Sequence, residues 1–170
     1  QVTLAECAPD SMLAFEAYGY IFVKNIIEKD FSICEDKIIY TWTPVRGIRV
    51  TTVIEPVRTG HIRTHSIQSE ISCKAYDCGF ALSSDDRKDF RQRQDGAFAG
   101  IYNEDGFCAV TSLQGDGTGE ILIPDPNTNL MHPKTRIPMA VYEIHPGEQT
   151  AVTRVEYFSQ DESVQGEVEE

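Results

Sequence analysis

Over residues 46–57 the chain alternates with a period of two: Ile48, Val50, Thr52 and Ile54 fall on one side, Arg49, Thr51 and Glu55 on the other. Successive side chains of an extended strand point to opposite faces, so this pattern builds a half-buried strand and argues against an amphipathic helix. The signature recurs. Phe98 to Tyr102, then Asn103-Glu104-Asp105-Gly106, then residues 107–113 read as a hairpin, with Asp105-Gly106 supplying the positive φ that such turns need. Residues 139–144, a turn at His145-Pro146-Gly147-Glu148 and residues 150–158 read as a second hairpin. Two short helices are expected at most. One spans 11–18, weakened by Gly19; the other spans 83–92, where Ser84-Asp85-Asp86 precedes a charged run. Short strands punctuated by turns give an all-β chain, an antiparallel β-sandwich or multi-sheet stack.

A chain of 170 residues with 41% hydrophobic content can bury one core, so a single domain is expected over 1–158, followed by an acidic, disordered tail over 159–170. The net charge of −12 makes nucleic acid an unsuitable partner. No run of 18 apolar residues and no basic-then-apolar leader is present, so a soluble chain without a membrane contact is expected, cytoplasmic or secreted. The five cysteines, Cys7, Cys34, Cys73, Cys78 and Cys108, cannot all pair within one chain. Cys73 and Cys78 are close enough in sequence to meet across a tight turn, but no second cysteine pair completes a zinc cage, and buried free thiols are the larger expectation. No metal or other cofactor is expected.

The long loop over 124–138 is set by composition. Pro124, Pro126, Pro133 and Pro138 each fix φ and remove a backbone donor, while the side chains of Asn127 and Asn129 can turn back on the main chain. His132, Lys134 and Arg136 concentrate donors on an otherwise acidic chain, as a solvated loop or as a lip for a carboxylated substrate or a partner domain.

His61 and His65 would share a face and could grip a metal if the segment were helical. In a strand they sit roughly 13 Å apart along the chain, too far to bind one ion. What remains is a row, His61, Arg63 and His65, pointing one way. It is either an ordinary polar outer face or a face turned towards an acidic ligand or neighbouring domain, with Arg63 the best anion binder. Tyr40 and Trp42 could stack on sugar rings, although aromatics before a strand are more often core. Gly115-Asp116-Gly117-Thr118-Gly119 joins strands and reads as a turn, and His145 reads as a turn residue. No nucleophile elbow, phosphate loop, dinucleotide fingerprint or paired-carboxylate motif occurs, so the catalytic residues stay unassigned.

The segments Thr41-Trp42-Thr43-Pro44, Arg49-Val50-Thr51-Thr52, His61-Ile62-Arg63-Thr64-His65-Ser66-Ile67, Gly79-Phe80-Ala81 and 126–138 resemble, in order, the carboxy-terminal part of domain-of-unknown-function family 2264. The resemblance covers roughly residues 40–155. It implies a β-sandwich joined to an amino-terminal (α/α) toroid, an architecture similar to heparinase-type lyases and glucuronidase-like glycoside hydrolases. By that resemblance the catalytic groups would sit in the toroid. His61, Arg63, His65, Asn127, Asn129, His132 and Arg136 then carry over as contacts to substrate or toroid, and the toroid, in the same protein or a companion chain, becomes the expected partner alongside an acidic polysaccharide or oligosaccharide. The implied function is the sandwich portion of a two-part glycoside hydrolase or polysaccharide lyase, inactive by itself. The alternatives are a stand-alone glycan-binding module without catalysis, and a complete small enzyme, which the lack of a convergent catalytic set disfavours.

Overall fold

The computed structural model describes residues 2–4, 13–22, 28–83, 91–95, 98–102, 107–114, 119–122, 135–136 and 138–159. Every regular element among them is a strand: β1 (Val2–Leu4), β2 (Leu13–Ala17), β3 (Tyr20–Phe22), β4 (Glu28–Cys34), β5 (Lys37–Val45), β6 (Ile48–Val57), β7 (Gly60–Ser69), β8 (Cys73–Cys78), β9 (Phe80–Ser83), β10 (Arg91–Asp95), β11 (Phe98–Tyr102), β12 (Phe107–Gln114), β13 (Gly119–Leu122), β14 (Thr135–Arg136), β15 (Met139–Ile144) and β16 (Gly147–Ser159). They form an antiparallel eight-stranded sheet in the order β10-β11-β12-β16-β7-β6-β5-β4, a five-stranded sheet β13-β15-β8-β2-β3, and a three-stranded sheet β1-β9-β14. The all-β sandwich expected from the alternation is the observed fold.

The alternation in β6 works as written: Ile48, Val50 and Thr52 are buried and Arg49 is exposed. The hairpin of β11 and β12 is also as expected, with Tyr102 opposite Cys108. The core joins the two large sheets. Phe15 of β2 meets Trp42 of β5 edge-on, ring centroids 5.8 Å apart, and Ile48, Val50, Ile67, Ala75, Ala140 and Ile144 pack around them.

Two local expectations are overturned, and a third is contradicted only at its two ends. Residues 13–17 are strand, not helix: Leu13, Ala14, Phe15 and Ala17 are buried, and β2 pairs with both β3 and β8. Tyr18-Gly19, with φ of 55° and 78°, is the two-residue turn into β3, so the glycine that weakens a helix here closes a hairpin. Of the other helical expectation, Ser83 ends β9 and Arg91-Gln92 open β10, while 84–90 lie outside the described residues. The hairpin expected over 139–158 is a crossing between sheets. β15 pairs with β8 and β13, whereas β16 pairs with β7 and β12. Gly147, at φ +118°, turns the corner, and Gln149 clasps it by donating Nε2–H to the His145 carbonyl at 2.7 Å.

Cys73 and Cys78 do not meet across a turn; they lie in the one strand β8, five residues apart and on opposite faces, and both are free. Cys78 is buried, Cys73 is half-buried and Cys34 is exposed. Of the 124–138 loop, Thr135–Arg136 form β14 against β9, and Pro138 is buried with its carbonyl accepting the Gly79 N–H at 2.7 Å. The rest of that loop and the 160–170 tail lie outside the described residues.

Candidate functional site

The His61, Arg63 and His65 row faces inward. β7 alternates so that these residues share a side with Ile67, which is in the core; Arg63 is 4% exposed and His65 0%. The polar outer face and the partner-facing row are therefore corrected: the row meets Asp77 of β8, itself 0% exposed, across the gap between the two large sheets. Arg63 donates from Nη1 to Asp77 Oδ1 at 2.5 Å and to the Cys78 carbonyl at 2.7 Å, and from Nε to His61 Nε2 at 2.9 Å. His65 contacts Asp77 Oδ2 through Nε2 at 3.0 Å and Thr52 Oγ1 through Nδ1 at 2.8 Å. The Trp42 indole reaches the same Thr52 oxygen at 3.4 Å.

Donor arithmetic orients the chain of bonds. Burial alone would raise Asp77, but the Arg63 guanidinium foremost, then His65 and the Thr153 hydroxyl, hold its carboxyl down to about 2. An ionised carboxylate only accepts, so His65 donates from Nε2; an indole only donates, so Thr52 Oγ1 accepts from Trp42 while its hydroxyl also pairs with His65 Nδ1. His61 accepts from Arg63 through Nε2. Burial first, and the Arg63 charge second, lower its pKa to about 4, which keeps that nitrogen free to accept. Tyr142 of β15 closes the far side, donating to the Val152 carbonyl at 2.9 Å and lying 2.5 Å from Thr153 Oγ1. Burial raises the Tyr142 and Tyr40 hydroxyls, Tyr40 to about 12.

Thr52, His65 and Asp77 thus line up as hydroxyl, imidazole and carboxylate, the order of a nucleophilic triad. All three are 0% exposed, so no substrate carbonyl or acetal carbon reaches Thr52 Oγ1. What the arrangement does is bind β5, β6, β7 and β16 of one sheet to β8 and β15 of the other. Tyr40 and Trp42 belong to this interior, both buried, as the core alternative expected; they offer no platform for a sugar ring, which corrects their candidacy as stacking residues. Among the described residues no group of three His, Cys, Asp or Glu side chains is placed to hold a metal ion. Arg136 lies in β14 opposite Leu82; Asn127, Asn129 and His132 lie outside the described residues.

The sequence reading missed Asp77, Thr52, Thr153 and Tyr142. The available signal was parity: His61, Arg63 and His65 share a strand face with Ile67, and Asp77 shares one with Ala75. An open recess of about 340 Å³ lies on the outer side of the eight-stranded sheet, lined by Thr43, Arg49, Gln68, Glu70 and Glu148 among others and by no aromatic ring.

A sandwich of two antiparallel sheets tied through a buried ionic centre is the class of domain that the fold and this site define. The chain belongs to the family described as the DUF2264 C-terminal domain, whose model matches residues 1–169, beyond the span in which the motifs are recognisable. No curated protein matches the sequence. The chain is similar in fold to a heparan sulfate lyase from Pedobacter heparinus (TM-score 0.58, 12% identity, covering 79% of this chain and 23% of that one). It is also similar to a human-microbiome protein assigned as a kojibiose phosphorylase (TM-score 0.52, 12% identity, 90% and 22%). A third likeness is to an Escherichia coli K12 protein assigned as an aldose 1-epimerase (TM-score 0.50, 9% identity, 92% and 81%). The chain therefore spans under a quarter of the lyase and phosphorylase chains it resembles. The fold is one found in carbohydrate-active proteins.

Proposed function

We propose that this chain is the β-sandwich portion of a two-part carbohydrate-active enzyme acting on acidic glycans, with bond cleavage carried by an (α/α) toroid elsewhere in the protein. The observation that carries this reading is the sealed interior. The one hydroxyl–imidazole–carboxylate array among the described residues is fully buried, which suits a scaffold and not a reaction centre. The lyase likeness, in which the matched part is 23% of the longer chain, supports a division of labour. Within it the sandwich gives the toroid a rigid wall, and the 124–138 loop, with Asn127, Asn129, His132 and Arg136, forms a lip at the substrate or at the toroid. For a stand-alone glycan-binding module, the recess at Arg49, Gln68 and Glu148 is a candidate surface among the described residues, because Tyr40 and Trp42 are inside.

The test compares the intact gene product with residues 1–170 alone on a panel of uronic-acid polysaccharides, reading new reducing ends and the absorbance of unsaturated uronate. Activity in the intact protein and none in the isolated chain supports the proposal. Turnover by the isolated chain, abolished by one substitution at an Asp, Glu, His or Tyr, overturns it.

A further inference from the structure

Among the described residues the large apolar side chains left exposed are Tyr18, Phe31, Ile33 and Ile38. The last three form one patch on the β4–β5 hairpin, where Ile33 is opposite Ile38 and Phe31 opposite Tyr40. Register places them on the same face of the sheet as Tyr40 and Trp42, the face that makes the core. Ile54, opposite Ile38, is half-buried and packs on that core, so an apolar stripe runs from the interior to open surface, where Phe31 is 54% and Ile33 69% exposed. The cause is unequal sheet width. Among the described residues the five-stranded sheet covers the inner face from β10–β12, under β13, to β5, where Phe15 meets Trp42, and the inner face of β4 is left exposed at Phe31 and Ile33.

Two features narrow the occupant. β4 is an edge strand, but the Phe31 N–H is taken by Asp30 Oδ1 at 2.9 Å, which obstructs pairing with a further strand at that point. The three side chains expose on the order of 300 Å² of apolar surface, well short of the roughly 800 Å² per partner of a stable intermolecular interface. A domain in the same polypeptide needs less, because tethering supplies a high effective concentration. The rim is mixed in charge: Lys29, on the same strand face as Phe31 and Ile33, is exposed, as are Asp30, Glu35 and Asp36, while Lys37 is engaged by Glu55 at 2.5 Å. We infer that the inner face of the β4–β5 hairpin is the docking surface for a tethered domain of the same protein, presenting a small apolar patch. This rests on the two-part reading above.

The test places a photo-crosslinking benzoylphenylalanine at position 31 of the intact protein and maps the products. A cross-link to a segment of the same polypeptide outside residues 1–170 is expected. Phe31→Ser with Ile33→Ser should make amides of 29–40 exchange at least tenfold faster in the intact protein, with exchange in β7 unchanged as the control for folding. A cross-link to a second copy, or none to the remaining polypeptide, overturns the docking surface and leaves the two-part reading standing. An intact protein that proves to contain no further domain removes both.

Discussion

The seam between β7 and β8 and the overhang at β4–β5 invert the usual distribution of polarity. At the seam Arg63, His65 and Asp77 lie where apolar residues would ordinarily pack; at the overhang Phe31 and Ile33 lie where polar ones would. Arg63 and His65 sit on the same inner sheet face as Phe31 and Ile33, so the difference is one of cover. A charge removed from water must meet a partner at fixed geometry, and the seam provides that for every bonding atom described above. Such a centre is satisfied in one register only, because sliding β8 by one residue would turn Asp77 away from Arg63. The seam specifies how the two sheets meet, whereas the overhang stores apolar area for a contact that this domain does not make with itself.

The largest effect expected from breaking the seam is that of Asp77→Ala, which leaves the Arg63 guanidinium buried without its carboxylate. Urea unfolding should show a loss of about 3–5 kcal/mol. Thr52→Val keeps the shape but strands the Trp42 indole N–H and His65 Nδ1, and should cost about 1–3 kcal/mol in the same measurement.

Acid should weaken the seam in two stages, read by thermal unfolding against pH. His61 has a folded pKa near 4, below its unfolded value, so between about 6.5 and 4 the unfolded chain takes up the proton that the folded one refuses, and stability falls with pH. Asp77, depressed to about 2, contributes stability that is complete above its unfolded value near 3.8 and is lost as pH falls through 2. A flat profile from pH 6.5 to 4 would contradict the burial of His61 beside Arg63. The smallest effect belongs to the overhang: Phe31→Ser within residues 1–170 should change unfolding free energy by less than about 1 kcal/mol, since more than half of the residue is already in water.

The strands were legible because alternation is local. The sheet each strand joins is not. Pro146-Gly147 suits a hairpin and a sheet crossing equally, and only the pairing of β15 with β8 and of β16 with β7 decides between them. Leu13-Ala14-Phe15 is an apolar run too short to distinguish helix from buried strand by period. For the candidate site, the common orientation of His61, Arg63 and His65 was readable and its direction was not. The partner that turns the row inward, Asp77, comes from another sheet, and the resemblance supplied residues without their environment.

The most direct measurement of the seam's role is a double-mutant cycle between Arg63→Met and Asp77→Leu, read by urea unfolding of residues 1–170. If the pair ties the sheets, each single replacement strands a buried charge, and the double replacement costs less than the sum of the singles by at least about 2 kcal/mol. Additivity within about 0.5 kcal/mol would contradict the account, because it would mean that the two charges do not depend on one another in the folded domain.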